Sequence, residues 1–184
     1  MRVIGGEFRS RTLKSVPGLD TRPTPDRMRE ALFSILAPHI EGAIFADLCA
    51  GTGAVGIEAL SRGARYALFV ESNRTAIQVI RDNLKSLGLA ARADVRQARA
   101  SAIAKSVQAD IVFLDPPYHA EREYSVVLHL LNAPLVIAQH DVRLDLADRY
   151  GSLTKIRTLR QGDNCLSFFE PAETPDATIE SAGA

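Results

Sequence analysis

Asp47-Leu48-Cys49-Ala50-Gly51-Thr52-Gly53-Ala54-Val55-Gly56 stands between a short apolar run, Ala43 to Ala46, and a segment with helical spacing, Val55 to Arg62. Strand, glycine-rich turn and helix in that order suit a chain that brings its backbone close to a ligand, because glycine bends sharply and carries no Cβ. Read as Gly51-x-Gly53-x-x-Gly56, the turn fits the dinucleotide-binding pattern. Glu71 lies about where that pattern places its ribose-binding acid. Asp47, at the strand end, favours S-adenosylmethionine over NAD. A carboxylate there helps place an amino-acid moiety but repels a pyrophosphate.

A second stretch agrees. Asp115-Pro116-Pro117-Tyr118 ends the apolar run Ile111-Val112-Phe113-Leu114. Two prolines cannot continue a strand, so the backbone breaks where a buried strand should end. That leaves a carboxylate, a carbonyl with no competing N–H beside it, and an aromatic ring at the carboxyl edge of a sheet, where open α/β sheets bind ligands. The carboxylate and the carbonyl can each accept from an exocyclic NH2 while the ring stacks on the heterocycle. An NAD enzyme has no evident use for such an edge. Asp115 has an unperturbed pKa near 4, so it need not deprotonate such a neutral amine before the amine reacts.

Between and beyond these motifs, strand and helix alternate. The pattern predicts strands near 43–47, 66–71, 92–97, 110–115, 134–139, 153–160 and 164–170, with helices near 54–62, 73–87, 99–107 and 121–132. Short connections imply a mostly parallel seven-stranded sheet with helices on both faces. The last two strands, joined through Gln161-Gly162-Asp163-Asn164, should pair as a C-terminal antiparallel hairpin at one edge. Val3 to Lys14 suggests a short hairpin, and Thr24 and Pro25 suit the cap and first position of a helix carrying Met28, Leu32, Ile35 and Leu36 on one stripe. Three regions follow: a basic extension (1–38), a catalytic body (39–170) and an acidic, disordered tail (171–184).

The composition, 46% hydrophobic and 24% charged, is that of an ordinary globular protein. No apolar run reaches the length of a membrane span and Met1-Arg2-Val3-Ile4 starts no signal peptide, so a cytoplasmic protein is expected. Cys49 and Cys165 are far apart and should be free thiols. His39, His119, His129 and His140 lack metal-ligand spacing, and no metal site is expected. The net charge of zero conceals an asymmetry. Residues 1–38 carry seven basic side chains against four acidic ones, whereas 171–184 carry three acids and no base. A basic head on a neutral body suits contact with phosphates.

The order of motifs resembles the bacterial small-subunit rRNA guanine-N2 methyltransferases, from Met1 to about Glu170. The resemblance rests on Arg2-Val3-Ile4-Gly5-Gly6-x-x-Arg9-x-Arg11-x-Leu13; on Thr21-Arg22-Pro23-Thr24-x-Asp26-Arg27-x-Arg29-Glu30-x-Leu32-Phe33; on Asp47 to Gly53 with Glu58-Ala59-Leu60-Ser61-Arg62-Gly63-Ala64; and on Leu114 to Tyr118. It implies a Rossmann-like class I S-adenosylmethionine-dependent methyltransferase acting on the exocyclic N2 of one guanine in 16S rRNA. Asp47, Ala50, Gly51, Thr52, Gly53, Glu71, Ser72 and Asp115 would surround the cofactor. Asp115, Pro116 and Tyr118 would hold the guanine, and Arg2, Arg9, Arg11, Lys14, Arg22 and Arg27 the RNA backbone. The chain departs from the family at Ala98-Arg99-Ala100-Ser101, where many related enzymes place an acid near the adenine, and at Gln161-Gly162-Asp163, where an aromatic often precedes Gly-Asp.

Taken alone, the residues leave rivals open. Adenine-N6 methyltransferases share Asp-Pro-Pro-Tyr, glutamine methyltransferases place Asn where Asp115 stands, and a non-catalytic RNA-binding assembly factor could retain the fold. No separate RNA-binding domain is evident, so the substrate is expected to be an assembled or assembling small subunit, met by a monomer.

Overall fold

The computed structural model describes residues 1–16, 26–117 and 121–172. Among these, one sheet is built from β1 (Ile44–Leu48), β2 (Tyr66–Glu71), β3 (Ala93–Gln97), β4 (Ile111–Leu114), β5 (Leu135–Asp141), β6 (Arg149–Tyr150), β7 (Leu153–Gln161) and β8 (Asn164–Pro171). The spatial order is β3-β2-β1-β4-β5-β8-β7-β6. The first five are parallel neighbours, and β8, β7 and β6 join antiparallel. The seven expected strands all form, with the C-terminal hairpin at one edge. The eighth, β6, is two residues long, too short to show any periodicity. β8 runs one residue past its expected end, to Pro171.

The core strands read as apolar runs because helices cover both faces. On one face, Phe45, Ile111, Phe113 and Ile137 pack with α1 (Asp26–Leu36) and α2 (Ala54–Ser61). Beside them, Ala67 and Phe69 pack with α2 and α3 (Arg74–Ser86). On the other, Ala46, Leu48, Val112, Leu114 and Val136 meet α4 (Ala100–Ile103) and α5 (Glu121–Leu130). The helix expected over 99–107 is shorter: α4 gives way to a 3₁₀ turn at Ala104–Ser106. There the Ser106 hydroxyl donates to the Ile103 carbonyl, a local bond that competes with helix continuation. The expected cap at Thr24 and Pro25, and the tail from 173 onward, lie outside the described residues.

The N-terminal hairpin shrinks to a single bridge, Arg2 with Thr12. Val3 N, Ser10 N and Leu13 N still bond across it, to the Arg11, Val3 and Met1 carbonyls, while the donors of Ile4, Gly5, Glu7 and Phe8 go to α2. Glu58, wholly buried, accepts from Ile4 N and Gly5 N at 2.8 Å each and from Arg62 Nε at 2.7 Å. Ser61 accepts from Phe8 N through its hydroxyl (2.9 Å) and from Glu7 N through its carbonyl (2.7 Å), and donates to the Gly5 carbonyl. Gly6, at φ 76°, sits so close to the Ser61 carbonyl that any Cβ would collide with it. The Arg62 guanidinium lies over the Phe33 ring, 5.3 Å from its centroid. This explains the Glu58–Ala64 motif as the seat of the arm, whose Val3 and Leu13 are themselves core residues.

Removing the Glu58 carboxylate strands two arm N–H groups and the Arg62 guanidinium. Glu58→Ala is therefore expected to destabilise the protein by about 3–5 kcal/mol, the scale of a broken buried ion pair. Urea unfolding measures this, and limited proteolysis should show early cleavage in the arm; a loss below about 1 kcal/mol would mean that α2 holds the arm by apolar contact alone.

Candidate active site

From β1 the chain winds outward through β2 to β3, then returns to β4 on the other side of β1. Ligands of open sheets bind at such a reversal, outside the carboxyl ends of the strands. Leu48 and Leu114 are register partners, and Asp115 N points to the Leu48 carbonyl at 3.4 Å, so both motifs emerge side by side.

The glycine turn is tied down at several points. Cys49 takes a left-handed φ of 70°, unusual for a residue with a Cβ, and Cys49 N and Ala50 N share the Val70 carbonyl at 2.9 Å each. Glu71 accepts from Gly51 N through Oε2 (2.9 Å) and from Asn73 N through Oε1 (2.8 Å). Asp47, 2% exposed, accepts from Gly56 N at 2.9 Å and so satisfies an orphan donor of the first turn of α2. A Cβ on Gly56 would strike the Phe69 ring. Thr52 is buried and its carbonyl accepts from Asn83 Nδ2 at 3.2 Å. Asn83 also exchanges bonds with the Lys14 backbone, accepting at 2.8 Å and donating at 3.2 Å. Ser72 is exposed beside Glu71.

Across the crevice Asp115 is half-buried, Pro116 buried and Pro117 exposed; Tyr118 lies outside the described residues. Asp115 Oδ2 accepts from Gln139 Nε2 at 3.1 Å. Gln139 is a residue the sequence reading missed. Its Oε1 is buried without a partner among the described residues, and its carbonyl receives the Tyr124 hydroxyl. The signal was present in the strand pattern: Leu114 pairs with Ala138, which sets the next residue, the first polar one after the run Leu135-Val136-Ile137-Ala138, beside Asp115.

Burial, then the nearby charge of Asp47, pushes Asp115 up to about 7, which corrects the expectation of an ordinary carboxylate. Burial likewise raises Asp47 to about 7, with Glu71 adding to the shift and the bond from Gly56 opposing it. Burial also raises the Cys49 thiol, with Glu71, Asp115, Glu123 and Asp47 adding, so that it stays protonated and unreactive. Four carboxyl groups around one turn suit a ligand that carries positive charge, as a sulfonium and an α-amino group do.

The basic residues are dispersed. Arg9, Arg11 and Arg27 are exposed and make no ion pair among the described residues. Arg2 reaches Asp26 at 4.0 Å, and Lys14 reaches Asp82 at 2.9 Å. Arg22 is outside the described residues. Arg29 is wholly buried and donates to the Arg2 carbonyl and to Asp26.

The family model described as conserved hypothetical protein 95 matches residues 1–170, and the chain belongs to that family. YlbH of Bacillus subtilis, named provisionally as an rRNA methyltransferase, is 37% identical over 85% of this chain and 91% of its own length. The Ribosomal RNA small subunit methyltransferase D of Escherichia coli is 42% identical over 64% of this chain; the chain spans only 60% of that relative. A solved Escherichia coli structure, yhhF, named provisionally as a methyltransferase, is 34% identical with a TM-score of 0.81, covering 95% of this chain and 99% of that one. The fold is that of the class I methyltransferases, and all four motifs fall inside the matched residues.

Raised carboxyl pKa values have a fixed sign in stability. The folded, ligand-free protein holds protons on Asp47 and Asp115 that the unfolded chain releases, so their contribution is full below about pH 4 and lost by about pH 7. Asp47→Asn should therefore lose less stability than wild type as pH rises through that window. Thermal melts of both proteins across it give the comparison, and parallel curves would show that folding does not raise the Asp47 pKa.

Proposed function

We propose that this chain transfers a methyl group from S-adenosylmethionine to the exocyclic N2 of one guanine in 16S rRNA. The observation that carries the reading is the meeting, at one sheet edge, of a glycine turn ringed by carboxyl groups and the Asp115-Pro116-Pro117 break. The relatives named as rRNA methyltransferases support an rRNA substrate, and the name of one supports the small subunit. Guanine N2 rests on the motif resemblance. In this reading residues 1–38 contact RNA, 39–170 form the catalytic body, and the enzyme works as a cytoplasmic monomer on an assembled or assembling small subunit.

Bound at the glycine turn, S-adenosylmethionine supplies a methyl group on a sulfonium, already a strong electrophile. Asp47, Ala50, Gly51, Thr52 and Gly53 would receive its methionine and ribose portions. Glu71 and Ser72 would take the ribose hydroxyls. Each Glu71 oxygen already accepts a backbone N–H but keeps a lone pair for this. Positive charge beside Asp115 restores its carboxylate near neutral pH.

The amine is the difficult partner, because guanine N2 delocalises its lone pair into the ring. Asp115 and the Pro116 carbonyl would accept its two N–H bonds, favouring a pyramidal nitrogen with the lone pair turned to the methyl. Pro117, having no N–H, leaves that carbonyl free of a neighbouring donor. Holding both reactants in line supplies roughly 7–11 kcal/mol in well-oriented systems. The Asp115 charge offsets the charge developing on nitrogen. As the C–N bond forms and the C–S bond breaks, the nitrogen becomes acidic. Asp115, with a pKa brought near neutrality, is suited to take its proton to solvent. A base in a helix must be flipped out to reach this edge, and Tyr118 would stack on it for about 1–3 kcal/mol.

Asp115→Ala is expected to abolish transfer while changing cofactor affinity only a few-fold. Labelled-methyl transfer to rRNA, with mass analysis of the nucleosides, gives both the rate and the modified atom. More than about a tenth of wild-type turnover, or a methylated adenine, would overturn the assignment. Comparing kcat/KM on protein-free 16S rRNA and on particles lacking the mark tests the substrate form; equal rates would remove the preference for the assembled subunit.

Gln139→Ala removes the one side-chain bond that the Asp115 carboxyl group accepts among the described residues. It should lower kcat about tenfold or more, with little change in KM, and move the acid limb of the pH–rate profile upward. An unmoved limb would confine Gln139 to packing.

A further inference from the structure

α3 presents Arg74, Gln78, Arg81 and Lys85 at helical spacing on one exposed face. None of the three cations makes an ion pair or side-chain hydrogen bond among the described residues. The acid on that flank, Asp82, is already occupied: Lys14 Nζ and Gln78 Nε2 each reach it at 2.9 Å, and these bonds lower its pKa. Beside the helix an open groove of about 690 Å³ separates Arg74, Gln78 and Arg81 from Gln97 at the end of the edge strand β3. Nearby Asp94 is paired with Arg96 at 2.7 Å. In a protein of zero net charge, this is a locally uncompensated positive surface.

Its position ties it to the site at both ends. Gln97 Nε2 reaches the Ser72 carbonyl at 3.5 Å, directly after Glu71, and exposed Arg99 follows two residues on at the same sheet edge. At the other end, Lys14 joins the arm to α3 through Asp82 and Asn83. Lys14 of the arm and the cations of α3 thus border one surface that leads to the carboxyl edge.

We infer that the outward face of α3 and the groove beside it hold the phosphate backbone of the RNA strand that carries the target base. The inference rests on the proposed function and extends it: the basic arm supplies only part of the footprint. From Arg74 to Lys85 the helix rises about 16 Å, long enough to follow successive phosphates. Arginines there can grip phosphate oxygens in pairs, and Gln78 and Gln97 can donate to sugar or phosphate. The departure at Ala98-Arg99, where related enzymes carry an acid, fits the same use, since an acid there would repel the backbone.

The test uses the full chain and a single-stranded 16S rRNA fragment, with affinity followed by fluorescence anisotropy over a range of salt. Arg74→Ala with Arg81→Ala should reduce the salt slope by about 0.7 for each phosphate no longer neutralised. Arg149→Ala with Arg160→Ala removes equal charge from the far edge of the sheet and should leave the slope unchanged. Calorimetry with S-adenosylmethionine should give wild-type affinity in both, establishing that the variants are folded, and Arg74→Lys should recover part of the slope. An unchanged slope in the α3 variant, or an equal fall in the far-edge variant, overturns this inference while the proposed function stands. Wild type that neither binds nor methylates the RNA overturns both. Loss of binding to anionic lipid vesicles with an intact RNA slope would assign the face to a membrane instead.

Discussion

Where strands break into loops, backbone N–H groups lose their partners, and in this molecule carboxylates, some of them wholly buried, accept several of them. Asp47 takes Gly56, Glu71 takes Gly51 and Asn73, Glu58 takes Ile4 and Gly5, and Asp110 takes Ile44 at 2.7 Å. Burying a carboxylate is costly, and hydrogen bonds to N–H groups are what make it tolerable. The geometry of the glycine turn, the seat of the arm and the start of β1 all follow from where these acids fall. Their removal would leave buried donors unpaired as well as deleting an attraction.

The site uses the same acids under a second demand. Asp47 and Glu71 are committed to donors of the fold, so their carboxyl groups are fixed in position before any ligand arrives. Asp115 is different. Among the described residues its carboxyl group meets one side-chain amide, that of Gln139, and no backbone donor. It retains the most acceptor capacity of the three, which suits a group that must change its partner during a reaction.

Much of this architecture is written in periodicity. Runs such as Ile111-Val112-Phe113-Leu114 and the spacing of Ala76, Ile77, Ile80 and Leu84 identify strands and helices because each buries a continuous face. β6 escapes because two residues cannot show a period. The arm was legible as basic, yet Val3 and Leu13 proved to be core residues, since alternate residues of a short arm read alike whether it docks or projects. Gln139, Asn83 and the raised pKa of Asp115 depend on contacts between segments far apart in sequence: Asn83 meets Lys14 across 69 positions. Local pattern carries no record of such pairings. The site motifs were legible because loop chemistry is local, whereas the groups that position them belong to the tertiary structure.

Asn83 gives the arm a property that bears on engineering. One amide holds the Lys14 backbone in both directions and the Thr52 carbonyl as well, so the arm and the ligand turn are fastened to the same atom group. The first residues are fastened to Glu58 and Ser61, which stand on the helix that the glycine turn begins. An arm taken from a relative would arrive without its sockets, and a domain boundary drawn just after it would cut through the support of the turn itself. The transferable unit is the arm together with α2 and Asn83, which is to say that arm and glycine turn are inherited as one piece.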